Sequence, residues 1–330
     1  MMFVRVKDHK EDAITKFESY LNESNFKFSR AGYDQFVIDS LYYKTIYELY
    51  PNYEYVEVSS YKLVSRVNHP KDRVISIRNI KIGGNSPLFI CAGPCAVEDN
   101  ESLKTIAQAV KRSGARGLRG GAFKPRTSPY AFQGIGREGL RFLNQCASSH
   151  SLLSVSEITS ISEIEYFKEN IDIIQVGARN MQNFELLKAL GKTNKTILLK
   201  RGFGNTIEEL LNSAEYIASN GNINIILCER GIRTFESMTR NTLDLSSVAI
   251  LKRLTNLPVI VDPSHALGNK ELVKDLLASI VVAGCDGLLL EVHQDPAKAV
   301  SDGDQSLNLK EFDEAVNNLK LLSYYIKRDI

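Results

Sequence analysis

Three cations, Arg119, Lys124 and Arg126, fall within eight positions of the stretch LRGGAFKPRTSPYAFQG, residues 118–134. The apolar residues just before Arg119 read as a strand, and the glycines and prolines that follow preclude a helix turning these charges to water. A stiff, bent loop that holds cations at a strand end is suited to gripping anions. Thr127 and Ser128 add hydroxyl donors of the kind a phosphate accepts. A solvated basic turn would account for one or two such charges, but poorly for the whole set.

Such a loop needs a scaffold, and the chain has the pattern of one. The candidate strands are Leu88–Cys91, Gly117–Arg119, Leu152–Val155, Ile173–Val176, Thr196–Lys200, Ile223–Cys228, Pro258–Asp262 and Gly287–Glu291. Apolar stripes at helical spacing lie between them: Leu103, Ile106, Ala107 and Val110; Ile207, Leu210, Leu211, Ala214 and Ile217. Val273, Leu276, Leu277 and Ile280 form another, and Phe312, Ala315, Val316 and Leu319 close the series. Capping-box spacing in Ser160 with Glu163 and in Thr206 with Glu209 predicts two helix starts. Eight strand–helix units in about 240 residues is the count of an α/β (β/α)8 TIM barrel. The absence of a Gly-rich dinucleotide turn disfavours an open doubly wound sheet.

Active sites of such barrels sit at the C-terminal strand ends. Those exits carry, in order, Cys95, Arg119, Glu157, Arg179, Lys200, Arg230, Asp262 with His265, and Glu291. Five cations, Arg119, Lys124, Arg179, Lys200 and Arg230, are expected to converge on one mouth. A polyanionic ligand would relieve their mutual repulsion.

Composition bounds the remaining choices. With 43% hydrophobic and 24% charged residues, 330 residues can bury a large core in one big domain or two. A net charge of +2 argues against a nucleic-acid binder. The N-terminal MMFVRVKDHKED has no apolar signal region, and no run reaches membrane length. Five cysteines form no CxxC pair and no secreted-type framework, so a reduced, cytoplasmic protein is expected.

Residue usage changes along the chain: one of 21 glycines precedes Gly83, while nine of 14 tyrosines lie at or before Tyr61. Residues 1–66 are therefore expected to form a separate domain, 67–87 a linker and 88–330 the barrel. In the first, Phe3–Val6, Phe26–Phe28, Gln35–Ile38 and Tyr55–Val58 read as strands, with helices at Glu11–Leu21 and Leu41–Leu49. That βαββαβ order is ferredoxin-like.

KPRTSPYAFQG after LRGGAFK resembles the signature of 3-deoxy-D-arabino-heptulosonate 7-phosphate (DAHP) synthases. AGPCAVE at 92–98, VGARN at 176–180, LLKRG at 198–202, CERG at 228–231, DPSH at 262–265, EVH at 291–293 and SDGDQSL at 301–307 stand in the family's order. One such string would be weak evidence; eight in register, from about Leu88 to Leu309, are strong. The resemblance implies condensation of phosphoenolpyruvate with erythrose 4-phosphate, the first step of aromatic amino-acid biosynthesis.

It also implies roles for residues. Arg119, Lys124, Arg179, Lys200 and Arg230 match phosphoenolpyruvate ligands. Lys124, Pro125, Arg126 and Thr127 match the erythrose 4-phosphate site, Arg126 and Thr127 facing its phosphate. Cys95, His265, Glu291 and Asp302 match ligands of a divalent metal, and mixed thiolate, imidazole and carboxylate ligation accepts Mn²⁺, Fe²⁺, Co²⁺ or Zn²⁺. Lys124 is the expected proton donor to the aldehyde oxygen, and Glu157, with Lys200, the group handling the attacking water. Asp262 would contact sugar hydroxyls or hold the metal-site geometry. His293 and His69 are read as structural, and Cys91 as facing the barrel wall.

YKLVSR at 61–66 followed by an HP pair resembles the junction in DAHP synthases with an N-terminal regulatory domain. Feedback by tyrosine or phenylalanine and a homodimer or homotetramer follow as expectations. Two other activities compete. 3-Deoxy-D-manno-octulosonate 8-phosphate synthases share the fold but typically carry KANRS where this chain has KPRTS. A Schiff-base aldolase would use Lys200 as its nucleophile.

Overall fold

The computed structural model describes residues 2–7, 10–57, 60–125 and 128–330. Two compact units result, Met1–Lys62 and Leu63–Ile330. Leu63–Arg66, counted with the first domain on sequence, bond to the second unit. The amides of Leu63 and Val64 donate to Glu215, and that of Arg66 donates to the Leu254 carbonyl.

The first unit runs β1 (Met2–Arg5), α1 (Glu11–Glu23), β2 (Phe28–Gly32), β3 (Gln35–Ile38), α2 (Tyr43–Leu49) and β4 (Glu54–Glu57). Its antiparallel sheet has the order β2-β3-β1-β4 expected of the ferredoxin-like pattern. Ile14, Phe17 and Leu21 bury one stripe of α1 against Val4, Phe36 and Ile38. Tyr20, Tyr42, Tyr50, Tyr53 and Tyr55 pack around this core, so many of the tyrosines are structural.

The second unit opens with a hairpin, β5 (Ile75–Ile77) and β6 (Ile80–Ile82). Eight parallel strands then close a barrel: β7 (Phe89–Gly93), β8 (Gly117–Arg119), β9 (Leu153–Ile158), β10 (Ile173–Val176), β11 (Thr196–Lys200), β12 (Ile225–Glu229), β13 (Val259–Val261) and β14 (Gly287–Glu291). The main crossover helices are α3 (Asn100–Ser113), α4 (Arg137–Ser149), α5 (Ile164–Asn170), α6 (Phe184–Gly191), α7 (Ile207–Ser219) and α8 (Ser246–Leu254). A short α9 (Pro263–Leu267) precedes α10 (Lys270–Val282), and α11 (Leu309–Lys320) follows β14.

Local sequence explains these elements. Asp99 caps α3 by accepting from the Ser102 amide, and Gly114 ends it at φ +114°, where L side chains are strained. Thr206 and Glu209 form the predicted capping box of α7. Ser160 instead caps a short 3-10 turn, and Glu163 pairs with Arg137 at 2.9 Å rather than closing a box. The barrel strands are buried along nearly their whole length, as parallel strands covered on both faces must be.

Ile75, Ile80 and Ile82 of the hairpin pack with Phe89, Leu153 and Ile173, the first residues of β7, β9 and β10. The hairpin therefore closes the N-terminal end of the barrel. Cys91 and Cys228 belong to the same apolar cluster, so Cys91 is an interior filler. Among the described residues, no helix is long and apolar enough to cross a membrane.

Candidate active site

Side chains from all eight strand ends meet at the C-terminal face. A cavity of about 210 Å³ is lined by Lys124, Pro125, Glu157, Arg179, Lys200, Arg230, His265 and Asp302, together with Phe203 and Arg240. Arg126 and Thr127 lie outside the described residues. Arg119 and Asp262 lie beneath the cavity rather than on its surface, 4% and 0% exposed.

Two of the expected cations are matched to carboxylates. Arg119 Nη1 donates to Glu291 Oε1 at 2.6 Å, and Lys200 donates to Asp262. The buried Arg119 Nε has no hydrogen-bond partner among the described residues. Burial works against the Arg119 charge, but Glu291 and Cys95 outweigh it and hold its pKa above the ordinary guanidinium value. Arg179 and Arg230 have no ion-pair partner among the described residues. Their guanidiniums lie instead over the Phe203 ring, 5.3 and 4.8 Å from its centroid.

The four candidate metal ligands come together: one ligand atom from each of Cys95, His265, Glu291 and Asp302 lies within 4.8 Å of the others. Cys95 Sγ donates to Asp302 Oδ2 at 2.8 Å. His265 Nε2 is 3.3 Å from Glu291 Oε1, and its Nδ1 is 2.8 Å from Asp262 Oδ2. A carboxylate behind the second imidazole nitrogen is the usual means of orienting a metal-bound histidine. The local fold builds this arrangement, because Asp262 caps α9 through the His265 amide and so fixes the histidine beside it. Asp302 has φ +55° without being glycine, a conformation that Asp tolerates better than most residues.

Burial sets the protonation of this cluster. It pushes the Cys95 thiol up to about 12, helped by the Glu291 charge. It lowers His265 below its ordinary value, against the pull of Asp262. Burial also opposes ionisation of Asp262, but His265 and Lys200 outweigh it and hold that carboxyl well below the usual range. For Asp302, the Cys95 hydrogen bond and Arg240 outweigh the burial cost in the same way. A soft thiolate source, a neutral imidazole and two carboxylates fit a divalent transition metal.

Sequence reading missed four participants. Arg240 Nη1 reaches Asp302 Oδ1 at 3.1 Å and Gln305 Oε1 at 2.6 Å, while Gln305 Nε2 donates to Glu291 Oε2 at 2.6 Å. Phe203 follows directly on the KRG string, and an apolar residue at a polar strand exit was its visible signal. Gly177 makes room for Glu157, since a Cβ there would sit 1.9 Å from Glu157 Oε1. Lys124 Nζ bonds to the Cys95 carbonyl at 2.8 Å and to its sulfur at 2.9 Å, which puts the expected proton donor beside the metal cluster.

The profile of the DAHP synthetase I family matches residues 63–328. The chain belongs to that family. The phospho-2-dehydro-3-deoxyheptonate aldolase of Thermotoga maritima is 52% identical over 263 residues, 80% of this chain and 78% of that protein. Its crystal structure, described as a DAHP synthase, superposes with TM-score 0.82 at 42% identity and covers 99% of both chains. More distant is a 2-dehydro-3-deoxyphosphooctonate aldolase of Geobacter sulfurreducens, 34% identical over 77% of this chain and 99% of that protein. The family is generally metal-dependent, in keeping with the four clustered ligands.

Proposed function

We infer that this DAHP synthetase family member condenses phosphoenolpyruvate with D-erythrose 4-phosphate, giving DAHP and phosphate. The observation that carries the reading is the juxtaposition of a four-ligand metal cluster with a cavity whose cations include two without a carboxylate partner among the described residues. Phosphoenolpyruvate carries a carboxylate and a phosphate on three carbons. Arg179 and Arg230 can grip such groups bidentately, and the spare Arg119 Nε offers one more donor.

The chemistry a divalent metal supplies when held by Cys95, His265, Glu291 and Asp302 is Lewis-acid polarisation of a carbonyl oxygen. C3 of phosphoenolpyruvate attacks the aldehyde carbon and the new C–C bond forms. Lys124 gives a proton to the resulting alkoxide. Water adds at C2, oriented by Glu157, and the bond from C2 to the phosphate oxygen breaks. Gln175 Nε2 holds Glu157 Oε2 at 3.2 Å for that task. Asp262 orients His265 and anchors Lys200, while Arg126, Thr127 and Pro125 receive the erythrose 4-phosphate. Mn²⁺ is the metal proposed, with Fe²⁺, Co²⁺ and Zn²⁺ able to replace it.

A Schiff-base route through Lys200 is disfavoured, because its Nζ is already engaged by the buried Asp262 carboxylate. The octulosonate alternative is the more distant relative. Phosphoenolpyruvate consumption should be measured with erythrose 4-phosphate and with arabinose 5-phosphate, each with and without chelator. Turnover with erythrose 4-phosphate alone, abolished by chelator and restored by Mn²⁺, is the expected result. Preference for arabinose 5-phosphate, or indifference to chelator, overturns the assignment.

The N-terminal unit is proposed to bind tyrosine or phenylalanine and to inhibit the barrel. Its support is the ferredoxin-like order and a cleft lined by Glu11, Thr15, Glu18, Arg30 and Tyr33, which offers both signs of charge to a zwitterion. The proposed assembly is a homodimer or homotetramer. The five cysteines are free thiols, which supports a cytoplasmic setting.

A further inference from the structure

We infer that Phe203 is a positioning residue for phosphoenolpyruvate: its ring holds the guanidiniums of Arg179 and Arg230 for the substrate's anionic groups without using up their donors. The inference rests on the cavity being the phosphoenolpyruvate site. A guanidinium can be fixed in place by a carboxylate or by an aromatic face. A carboxylate neutralises the charge and occupies N–H donors, as Glu291 does for Arg119. A ring face does neither, so the planar fork stays available for bidentate contact.

Phe203 is the ring of this site. It lines the cavity, and a third guanidinium, Arg233, lies 4.7 Å from the same centroid. The other bonds of Arg230 run to the Gly231 and His265 carbonyls, which leave its charge whole.

The ring is itself held still. The Arg233 amide donates to the Phe203 carbonyl at 2.6 Å, which ties the loop after β11 to the loop after β12. Beneath it, buried Arg201 spans the same two loops. Its Nη1 reaches Glu229 Oε2 at 2.9 Å and Asp244 Oδ2 at 3.0 Å, and its Nε donates to the Asn205 carbonyl. Glu229 in turn accepts from the Gly231 amide at 2.7 Å, so the backbone around Arg230 is pinned from below. The brace sets where the ring lies, and the ring sets where two substrate-facing arginines lie.

Half-buried Phe203 can be changed without opening the core. In the metal-loaded protein, Phe203→Leu should weaken phosphoenolpyruvate binding, measured by calorimetry, about five- to thirtyfold for two lost ring contacts. The KM for phosphoenolpyruvate should rise in step, while kcat at saturation, metal affinity and melting temperature stay unchanged. Phe203→Tyr, which keeps the ring, should restore binding. Should the leucine variant melt early, Phe203→Met keeps the volume without the ring and carries the same expectation. Unaltered phosphoenolpyruvate affinity in the Leu or Met variant overturns the inference, as does a loss that Tyr fails to repair. Absence of binding by the unsubstituted protein overturns the underlying site reading as well.

Discussion

Uptake of a divalent ion by the metal-free protein should release close to one proton at about pH 7.5, and Cys95 should be its source. Without metal, the thiol is pushed from 9.0 up to about 12, and its 2.8 Å contact with Asp302 Oδ2 requires a hydrogen on sulfur. His265 is lowered from 6.5 and is neutral, while Glu291 and Asp302, both lowered, are ionised. Only the thiol must therefore lose a proton to become a ligand. Raising it from 9.0 to about 12 makes that loss harder by roughly 4 kcal/mol, at about 1.36 kcal/mol per pH unit. Because bound protein carries one proton fewer, affinity should increase with pH, about tenfold per unit between roughly pH 7 and 9. Calorimetric titration with Mn²⁺ in two buffers of different ionisation enthalpy counts the protons directly. Cys95→Ser should bring the count near zero and weaken binding. A count near zero in the unsubstituted protein would refute the reasoning, because Lys124 Nζ, 2.9 Å from the sulfur, would then already be holding a thiolate.

Other outcomes follow from the same geometry. Gly177→Ala pushes the flexible end of Glu157 aside, which should cost little stability but lower kcat; an unchanged kcat in stopped-flow turnover removes Glu157 from the reaction. Arg179→Ala should raise the KM for phosphoenolpyruvate more than that for erythrose 4-phosphate, and Arg126→Ala the reverse. Each change should be roughly ten- to a hundredfold for the loss of one charge-assisted contact of about 1.5–3 kcal/mol, and equal effects on both substrates would mean that the pockets are divided wrongly. Deleting residues 1–62 should leave an active barrel indifferent to tyrosine and phenylalanine, and indifference in the full-length enzyme would end the regulatory reading.

Barrel strands with a plain apolar run, such as Ile173–Val176 and Thr196–Lys200, were legible to the residue. Two strands that carry a carboxylate near their end were read short, although β14, which ends on Glu291, was not. β9 continues through half-buried Glu157 and β12 through buried Glu229, carboxylates that a hydrophobic pattern treats as the end of a strand. The hairpin at 75–82 escaped notice because its two-residue turn places Arg78 at φ +53°, where Asn or Gly is the usual signal. In the site, charges at the strand exits could be found from motif and strand position. Arg240 and Gln305 could not, because each acts through another side chain and the pairing exists only once the loops have folded over one another, and Phe203 left only the signal of an apolar residue at a polar strand exit.

The hairpin that corks the barrel closes the end opposite the cavity. Cys95 and Glu291 are almost wholly covered, while His265 and Asp302 line the cavity. An ion held by these four would be walled by protein on the thiolate side and open to substrate on the imidazole side.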